Sequence, residues 1–303
     1  MNKLISEDRI FMNTKVEFNT WTAINSSEVH KIFDMGFAQF HFVIERFSRF
    51  NPESELSILN KSSGKGKKIT KELFELIEFA LNISKKTNGS FDPTIIDFLE
   101  TYGYDANYNF SRLSNKGVIE KEISGILKTR PKYSEIKLNP KNLTIQLKKR
   151  QRIDLGGIGK GYAIDLAFKK LLPLENFLIN AGGDIKAKGH FKDTKYWPVG
   201  LKVPSLGQIG IVKLNNEAVC CSGSWARKVK FFHHLINPKT GKPQNELKAT
   251  FVISKEAKEA DAWSTALFAS GENAIKLIKK YKLKAILVDK NNKIKCFNIK
   301  LYS

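Results

Sequence analysis

The sequence predicts an α+β fold. Helical and strand-like stretches alternate irregularly along its 303 residues, without the regular strand–helix–strand repeat of a doubly wound parallel sheet. Hydrophobic residues make up 42% of the chain, which is enough to build a substantial core. The sequence contains no fixed-period repeat. Because helices and strands are intermixed, we expect sheets with flanking helices.

In the first half of the chain, apolar spacing predicts one strand and several helices. Ser26 and Ser27 are candidate N-caps of the first helix, and Thr70 is the candidate cap of a later one. The predicted elements, in order, are an edge strand (12–21), a helix (27–46), a turn with a short helix (48–60), a polar loop (62–68) and an amphipathic helix (70–88).

The second half is predicted to be richer in strands. It ends in a hairpin with an Asn-Asn turn, a usual connection between two strands. The predicted elements, in order, are two short strands (134–139 and 143–149), a helix after a glycine-rich loop (162–172), two strands around a Gly-Gly turn (176–190), a strand-rich stretch (196–252), two helices (257–270 and 273–281) and the hairpin (285–299).

The net charge of +21 raises the question of a nucleic-acid partner. The lysines are spread along the chain and match no basic zipper, zinc finger or aromatic RNA-binding signature, so no nucleic-acid partner is expected. Three cysteines form neither a disulfide framework nor a zinc pattern. The N-terminus lacks a signal-peptide core and no run of eighteen apolar residues occurs, so a soluble cytoplasmic chain is expected unless a leader was trimmed.

The stretch "IDLGGIGKGYAID" (153–165) concentrates four glycines around Lys160. Its spacing matches neither the dinucleotide fingerprint nor a P-loop. Bare backbone can nevertheless approach a phosphate or a metal, and the following helix offers its positive N-terminus. The alternative is a purely structural turn between a strand and a helix.

Three further motifs carry polar residues in suggestive places. In "GSFDPTI", Asp92 is a candidate ligand contact or, alternatively, the cap of a helix with proline at its first position. In "EADAWSTALFASG", Asp261 and Thr265 share one helical face, where a hard cation such as Mg²⁺ would satisfy both oxygens. The alternative is that Thr265 bonds to the preceding turn and Asp261 interacts with the helix dipole.

The pair His233–His234 precedes a turn-forming stretch, "INPKTG". Histidine is a natural general base near neutrality, although one member of such a pair can equally be a packed strand residue. Ser222 and Ser224 lie outside any GxSxG elbow, so serine hydrolase chemistry is not predicted.

Taken together and in order, the segments resemble the ApbE family, the FAD:protein FMN transferases. The matching stretches are "FMNT" (11–14), "SRFNPESELSILN" (48–60), "GSFDPT" (89–94), "IDLGGIGKGYAID" (153–165), "INAGGDI" (179–185), "CSGS" (221–224), "HHLINPKTG" (233–241) and "ADAWSTALFASG" (260–271). The resemblance implies a single two-lobed, T-fold-like α+β domain over residues 1–303, with mixed sheets, flanking helices and the active site between its lobes.

The resemblance also implies the chemistry. A protein of this family would bind FAD and Mg²⁺, release AMP and attach FMN to a threonine or serine hydroxyl of an acceptor protein. Membrane contact would arise only through the acceptor or a missing lipid anchor. The implied roles are Asp261 and Thr265 as metal ligands, the Gly157 main-chain oxygen facing the metal, Asp154 and Lys160 as FAD contacts, Met12, Phe50, Asp92 and Ile236 lining the flavin or adenine, and His234 as general base, with Asp261 also catalytic.

Four positions depart from the family pattern. Phe50 stands where the family often has tyrosine, Cys221 replaces a threonine, Asn237 replaces an aspartate, and Gly159 replaces an alanine. Phe50 keeps an aromatic surface but loses the hydroxyl. The departures at Phe50 and Cys221 leave two alternatives open, an FAD pyrophosphatase that forms FMN and AMP and a non-catalytic flavin-binding protein.

Overall fold

The structure is a computed structural model that describes residues 1–105, 107–108, 110–229 and 232–303. Its helices are α1 (Ser26–Phe47), α2 (Glu55–Lys61), α3 (Lys71–Lys86), α4 (Ile96–Thr101), α5 (Lys116–Thr129), α6 (Gly159–Lys170), α7 (Ala257–Ser270) and α8 (Ala274–Tyr281). Short 3₁₀ turns lie at Ser111–Ser114, Tyr133–Glu135 and Gly271–Asn273. Among the described residues, no helix is both long and apolar enough to cross a membrane.

The strands build one large sheet and three small ones. The strands are β1 (Lys3–Phe11), β2 (Thr14–Thr22), β3 (Gly66–Lys68), β4 (Lys137–Asn139), β5 (Thr144–Gln146), β6 (Phe177–Ala181), β7 (Asp184–Lys188), β8 (Trp197–Val203), β9 (Gly207–Leu214), β10 (Glu217–Gly223), β11 (Ile236–Asn237), β12 (Lys242–Pro243), β13 (Leu247–Ser254), β14 (Lys284–Asp289) and β15 (Ile294–Phe297).

Within the described chain, the large sheet contains eight strands in the order β1-β2-β6-β7-β10-β13-β14-β15. Neighbouring strands in it are antiparallel. The predicted α+β class is confirmed, and the mixed sheets that the resemblance implies are antiparallel in the described pairs.

The large sheet is covered on both faces. On one face, helices α1, α3, α6 and α7 pack against it, and side chains such as Phe18 of β2 and Phe37 of α1 stack with ring centres 4.1 Å apart. On the other face, the β8–β9 hairpin packs Val199 and Val212 onto Phe251. Burying each such side chain contributes about 1.5–3 kcal/mol, so both layers hold the sheet in place.

A third, smaller cluster lies beside this body. It joins α4, α5 and β11, with Phe98, Tyr104 and Ile236 among its buried side chains. It is therefore a hydrophobic cluster separate from the main core.

Several predicted elements are confirmed with shifted ends. Thr70 caps α3 through its side chain, as predicted, by accepting from the Leu73 N–H at 3.4 Å. The predicted caps Ser26 and Ser27 are wrong, because Asn25 accepts from the Ser27 N–H at 2.9 Å and α1 begins directly after it. The strand-rich stretch 196–252 is confirmed except at residues 230 and 231, which lie outside the described residues.

The predicted edge strand at 12–21 is wrong in position. The strand begins at Thr14, and β1 pairs along its outer side, so β1 is the edge. Met12 and Asn13 form the turn between them with φ of 52° and 58°. Charged residues in the middle of β1 hid its alternation, which is how edge strands avoid aggregation.

Other elements were missed or begin at a different residue. Helix α5 has no counterpart among the predicted elements, and β3 occupies part of the predicted polar loop at 62–68. Helix α6 begins at Gly159, earlier than the predicted start at residue 162, although glycine is a poor helix former.

Candidate functional site

Helix α7 is buried on nearly every side. In the fully described segment 260–270, Thr265 is half-buried while the other residues are buried. Thr265 is thus the most exposed residue of this segment. The helix itself is held against β10 and β13 of the large sheet.

Oxygen atoms converge around Thr265. The Ser222 Oγ lies 3.3 Å from the Thr265 Oγ1 and 3.0 Å from the Ser264 Oγ. A Cβ added at Gly157 would lie 3.5 Å from the Thr265 Oγ1 and 3.1 Å from the Phe91 ring. The glycine loop therefore packs directly against α7 at this hydroxyl, where there is little room for a side chain.

Asp261 lies one helical turn before Thr265. Its side chain is 4% exposed, and its Oδ2 accepts from the Gly161 N–H at 3.0 Å. Burial raises the pKa of Asp261, while the positive charge of Lys160 opposes that shift. A buried carboxylate of this kind is favoured in its charged form by a cation placed next to it.

Lys160 is held by a second buried carboxylate. Its Nζ pairs with the Asp184 Oδ2, and the Asp184 Oδ1 accepts from the Cys221 N–H at 2.9 Å. The Cys221 side chain packs against the hairpin-side core, whereas Ser222 reaches α7 on the other face of β10. The departure at Cys221 therefore changes a side chain that faces away from Thr265.

The donor set fits a hard divalent cation. Mg²⁺ prefers carboxylate, hydroxyl and main-chain oxygens, and Asp261, Thr265, Ser222 and the Gly157 main chain supply these types at neighbouring positions. Among the described residues, no group of three or more His, Cys, Asp and Glu side chains could hold a metal. A cation here would be held by one carboxylate together with neutral oxygens.

Asp154 organises the entrance of the glycine loop. Its Oδ1 accepts from the Gly156 N–H at 2.7 Å, and its Oδ2 lies 2.7 Å from the Arg49 Nε. The Arg49 guanidinium carbon is 4.1 Å from the centre of the Phe50 ring. Asp154 thus fixes the loop and, through Arg49, the ring of Phe50.

Phe50 presents an aromatic surface beside this loop. Its side chain is 41% exposed, which is unusual for phenylalanine, and its ring stacks at 6.0 Å on Tyr108. Such a surface suits a planar ring system. The segment of Asp92 lies next to the loop as well, because the Asp154 N–H donates to the Pro93 carbonyl at 2.7 Å.

The oxygens of Asp92 are already engaged. Oδ1 accepts from the Thr94 N–H at 2.8 Å and from its hydroxyl at 2.6 Å, and Oδ2 pairs with Arg130 at 2.7 Å. Arg130 also donates to the Pro238 carbonyl at 3.3 Å. Asp92 therefore caps the turn after it and joins this turn to the one that follows the histidines. The alternative that Asp92 caps a helix starting at Pro93 is wrong, because α4 begins at Ile96 after Ile95, without a side-chain cap.

The two histidines differ in environment. His233 is buried, its Nε2 donates to the Gln244 carbonyl at 2.9 Å, and its Nδ1 accepts from the Leu235 N–H at 3.3 Å, so it is the packed member of the pair. The Nδ1 of His234 is buried without a hydrogen-bond partner among the described residues. Burial, with smaller effects from Arg227 and His233, lowers the pKa of His234 to about 3.

The last two predicted site residues lie at the margins. Met12 lies in the β1–β2 turn, just before β2. The Lys15 carbonyl near the start of β2 accepts a hydrogen bond at 3.0 Å from the Gly182 N–H, which lies in the turn before Asp184. The Ile236 side chain is 2% exposed in the third cluster, and its main chain pairs with Pro243 between β11 and β12.

Sequence reasoning missed three residues of this site: Arg49, Asp184 and Ser222. Each lies in a stretch that was recognised as a motif, and Arg49 and Ser222 stand next to Phe50 and Cys221, which were singled out. For Ser222, the available signal was a hydroxyl directly after the apolar run 218–221 of its strand. For Arg49 and Asp184, the sequence carries no comparable signal.

Comparisons with known proteins show which family and which fold this chain is similar to. The family model that matches is that of the ApbE family, over residues 12–287. A FAD:protein FMN transferase of Buchnera aphidicola subsp. Baizongia pistaciae is 29% identical over 269 residues, covering 83% of this chain and 76% of that protein. One of Haemophilus influenzae is 26% identical over 260 residues, covering 80% and 74%.

Solved structures are similar over almost the whole chain. The ApbE protein of Thermotoga maritima matches with a TM-score of 0.88 at 26% identity and covers 98% of this chain and 97% of that one. The flavinyl transferase ApbE of Pseudomonas stutzeri, in its apo form, matches with a TM-score of 0.85 at 21% identity, with coverage of 98% and 95%. The latter likeness concerns the fold alone.

Proposed function

The chain belongs to the ApbE family, and we propose that it is a Mg²⁺-dependent FAD:protein FMN transferase. In this reaction the acceptor's threonine or serine oxygen attacks the phosphorus on the FMN side of the FAD diphosphate. A new phosphoester bond forms, the bond to the bridging oxygen breaks, and AMP leaves with that oxygen. The hydroxyl proton passes to a base.

The observation that carries this proposal is the meeting of Asp261, Thr265 and the loop at Gly157. One buried carboxylate and several neutral oxygens lie near Thr265, the half-buried residue of the otherwise buried segment 260–270. When bound there, Mg²⁺ would neutralise the diphosphate and the departing phosphate, which is the main requirement of phosphoryl transfer. The substrate would lie where the main core and the third cluster meet, within a single domain.

The other site residues would bind and orient FAD. Phe50 offers a face for a planar ring, and Arg49 and Asp154 hold that face relative to the glycine loop. Lys160 supplies a positive charge at the start of α6, where the helix N-terminus also favours a phosphate. Met12, Asp92 and the main chain of Ile236 would border the same space.

His234 is proposed to accept the hydroxyl proton. Its low pKa keeps the ring neutral near pH 7, so a basic nitrogen is available without prior deprotonation. A general base works best with a pKa near the working pH. The negative charges of a bound diphosphate would raise the pKa of His234 towards that range, because they stabilise the imidazolium.

Two alternatives remain distinct from this proposal. A FAD pyrophosphatase would release AMP and free FMN without any acceptor, and the departure at Phe50 keeps that reading open. A flavin-binding protein without catalysis would bind FAD and release no AMP. A fluorescent acceptor band in a denaturing gel, after incubation with FAD, Mg²⁺ and host-cell lysate, separates the transferase from both.

The metal assignment is tested with Asp261→Asn. We expect AMP release from FAD to fall by roughly 10²-fold or more and no longer to respond to Mg²⁺ titration, because a carboxylate that anchors the metal is lost. Glu259→Gln is the matched control, since it makes the same change on the same helix at a half-exposed residue bonded to Ser254. Unchanged Mg²⁺-dependent AMP release in Asp261→Asn would show that the assignment is wrong.

A further inference from the structure

The two helices that carry the candidate site cap each other's N-termini through aspartate side chains. Helix α6 follows Ile158, which provides no side-chain cap, and its Gly161 N–H donates instead to Asp261 of α7 at 3.0 Å. Helix α7 follows Glu256, which also provides no side-chain cap. The N–H groups of its first two residues donate instead to Asp165 of α6, each at 2.9 Å. Each helix therefore caps the other.

The exchange takes place where the helices are in contact. A Cβ added at Gly161 would lie 2.4 Å from the Ala257 carbonyl oxygen, so the main chains of α6 and α7 touch. Both capping carboxylates are buried, with Asp165 6% exposed and Asp261 4% exposed. The relative position of the two helices is thus set by buried, directional hydrogen bonds rather than by apolar packing alone.

The two carboxylates differ in their cations. Asp165 pairs with Lys186 of β7 at 2.7 Å, and this ammonium also lies 4.4 Å from the centre of the Phe168 ring. The nearby cation of Asp261 is Lys160, which is itself paired with Asp184. Lys186 also lies 3.4 Å from the exposed Glu256, so Asp165 is the nearer and buried partner of its cation. Asp261, by contrast, shares Lys160 with a second buried carboxylate, Asp184.

We propose that Asp165 and Lys186 are positioning residues that hold Asp261 and Thr265 against the glycine loop. The inference rests on the proposed metal site, but it concerns residues that do not touch the metal. Without the Asp165 carboxylate, two N–H groups at the start of α7 lose their partner, and the buried Lys186 ammonium keeps the exposed Glu256 at 3.4 Å but loses its buried partner. Helix α7 can then regain partners only by moving relative to α6.

The consequence is a loss of metal affinity that exceeds the loss of stability. Residues that orient metal ligands through hydrogen bonds, without touching the metal, typically lower metal affinity by about 10–100-fold when they are removed. We expect that range for Asp165→Asn, whose amide places a donor against N–H groups and Lys186. We expect roughly 10-fold for Lys186→Met, which keeps the two helix caps but removes the cation.

The experiment measures metal binding directly, without turnover. Mn²⁺ is titrated into each full-length protein and the free ion is followed by its EPR signal, while thermal unfolding is recorded on the same samples. Asp261→Asn identifies the site by abolishing this binding in a folded protein. Asn25→Ala is the stability control, since it removes the exposed side-chain cap of α1 and should lower the unfolding temperature without changing Mn²⁺ binding.

A kinetic measurement separates positioning from general loss of structure. We expect the Mg²⁺ concentration for half-maximal AMP release to rise in Asp165→Asn and Lys186→Met, while the KM for FAD stays within about twofold. Excess Mg²⁺ should restore most of the rate, because the folded protein needs only to refill its site. A purely structural role would lower the rate in proportion at every Mg²⁺ concentration.

The outcomes distinguish the two proposals. No Mn²⁺ binding by the unmodified protein would overturn the proposed function and this inference with it. Binding by the unmodified protein, with an unchanged Mn²⁺ constant in Lys186→Met, would overturn this inference alone. If Asp165→Asn does not fold, Lys186→Met decides, since it retains both caps.

Discussion

Replacing Gly161 by alanine tests the contact on which the candidate site depends. The added Cβ would lie 2.4 Å from the Ala257 carbonyl oxygen, 2.6 Å from its carbon and 2.8 Å from the Lys258 Cα. These are main-chain atoms, so α6 and α7 must separate by about 1 Å to reach ordinary van der Waals contact. The same movement stretches the Gly161–Asp261 hydrogen bond, now 3.0 Å.

The stability cost of this substitution should be small while its catalytic cost is large. Overpacking costs about 1–3 kcal/mol, and the better helix propensity of alanine returns about 1 kcal/mol, so a net loss of roughly 0–2 kcal/mol is expected. A displacement of 1 Å at reacting groups can lower a rate by about 10²-fold. We therefore expect AMP release to fall by about 10²-fold in a protein that still unfolds cooperatively.

The assay compares AMP release from FAD, measured by chromatography, in Gly161→Ala and Gly159→Ala. A Cβ at Gly159 would meet no atom within 4 Å, so this neighbouring substitution should leave activity within a few-fold of the unmodified protein. Equal rates in Gly161→Ala and the unmodified protein would refute the claim that the close approach of α6 and α7 holds the site. Equal losses in both variants would refute it as well.

Three further predictions concern His234 and Phe50. His234→Ala should keep FAD bound but slow transfer by roughly 10²–10⁴-fold, measured by stopped assays at saturating FAD. Loss of FAD binding with normal turnover of the bound FAD would contradict a role of His234 as the base. The pKa of His234 falls from 6.5 to about 3 on folding, so the unfolded chain binds a proton that the folded chain does not, and stability should fall as pH drops from 6.5 towards 3. His234→Gln should flatten that decline in urea midpoints, whereas an unchanged slope would assign it to other groups. Phe50→Ala should weaken FAD binding by about 0.5–1.5 kcal/mol, which is roughly a 2- to 12-fold increase in Kd, measured by flavin fluorescence. Phe50→Tyr keeps the aromatic ring and should leave the Kd unchanged. Equal affinities in all three proteins would exclude stacking of the flavin on this ring.

The fold could be predicted wherever the buried residues recur along the sequence with the single period of a helix or of a strand. Helix α3 shows this, since its apolar face and Thr70 cap are both visible in the sequence and both confirmed. Strand β1 shows the opposite, because charged residues along an exposed edge obscure the alternation. Helix α5 buries only Ile119 and Ile123, so its sequence carries a weak amphipathic signal.

The candidate site was predictable only in its local part. The spacing of Asp261 and Thr265 implies one shared helical face, and the structure places both near the glycine loop. The partners that complete the arrangement are distant in sequence. The Gly161 N–H and Asp261 are separated by 100 residues, and the contacts of Asp165 with the start of α7 by 92 and 93.

Glycines in one motif can serve different purposes, which spacing alone does not reveal. Gly157 leaves room for Thr265 and Phe91, and Gly161 lets α6 touch α7, whereas Gly159 faces open space. Gly157 and Gly161 therefore have a packing reason to resist a side chain, as does Gly156, whose added Cβ would lie 2.8 Å from the Asp154 Oδ1, whereas Gly159 has none. Besides its proposed place beside the diphosphate, the glycine-rich stretch therefore makes two separate contacts with α7, on either side of Lys160. Its tolerance to substitution should follow those contacts rather than the motif.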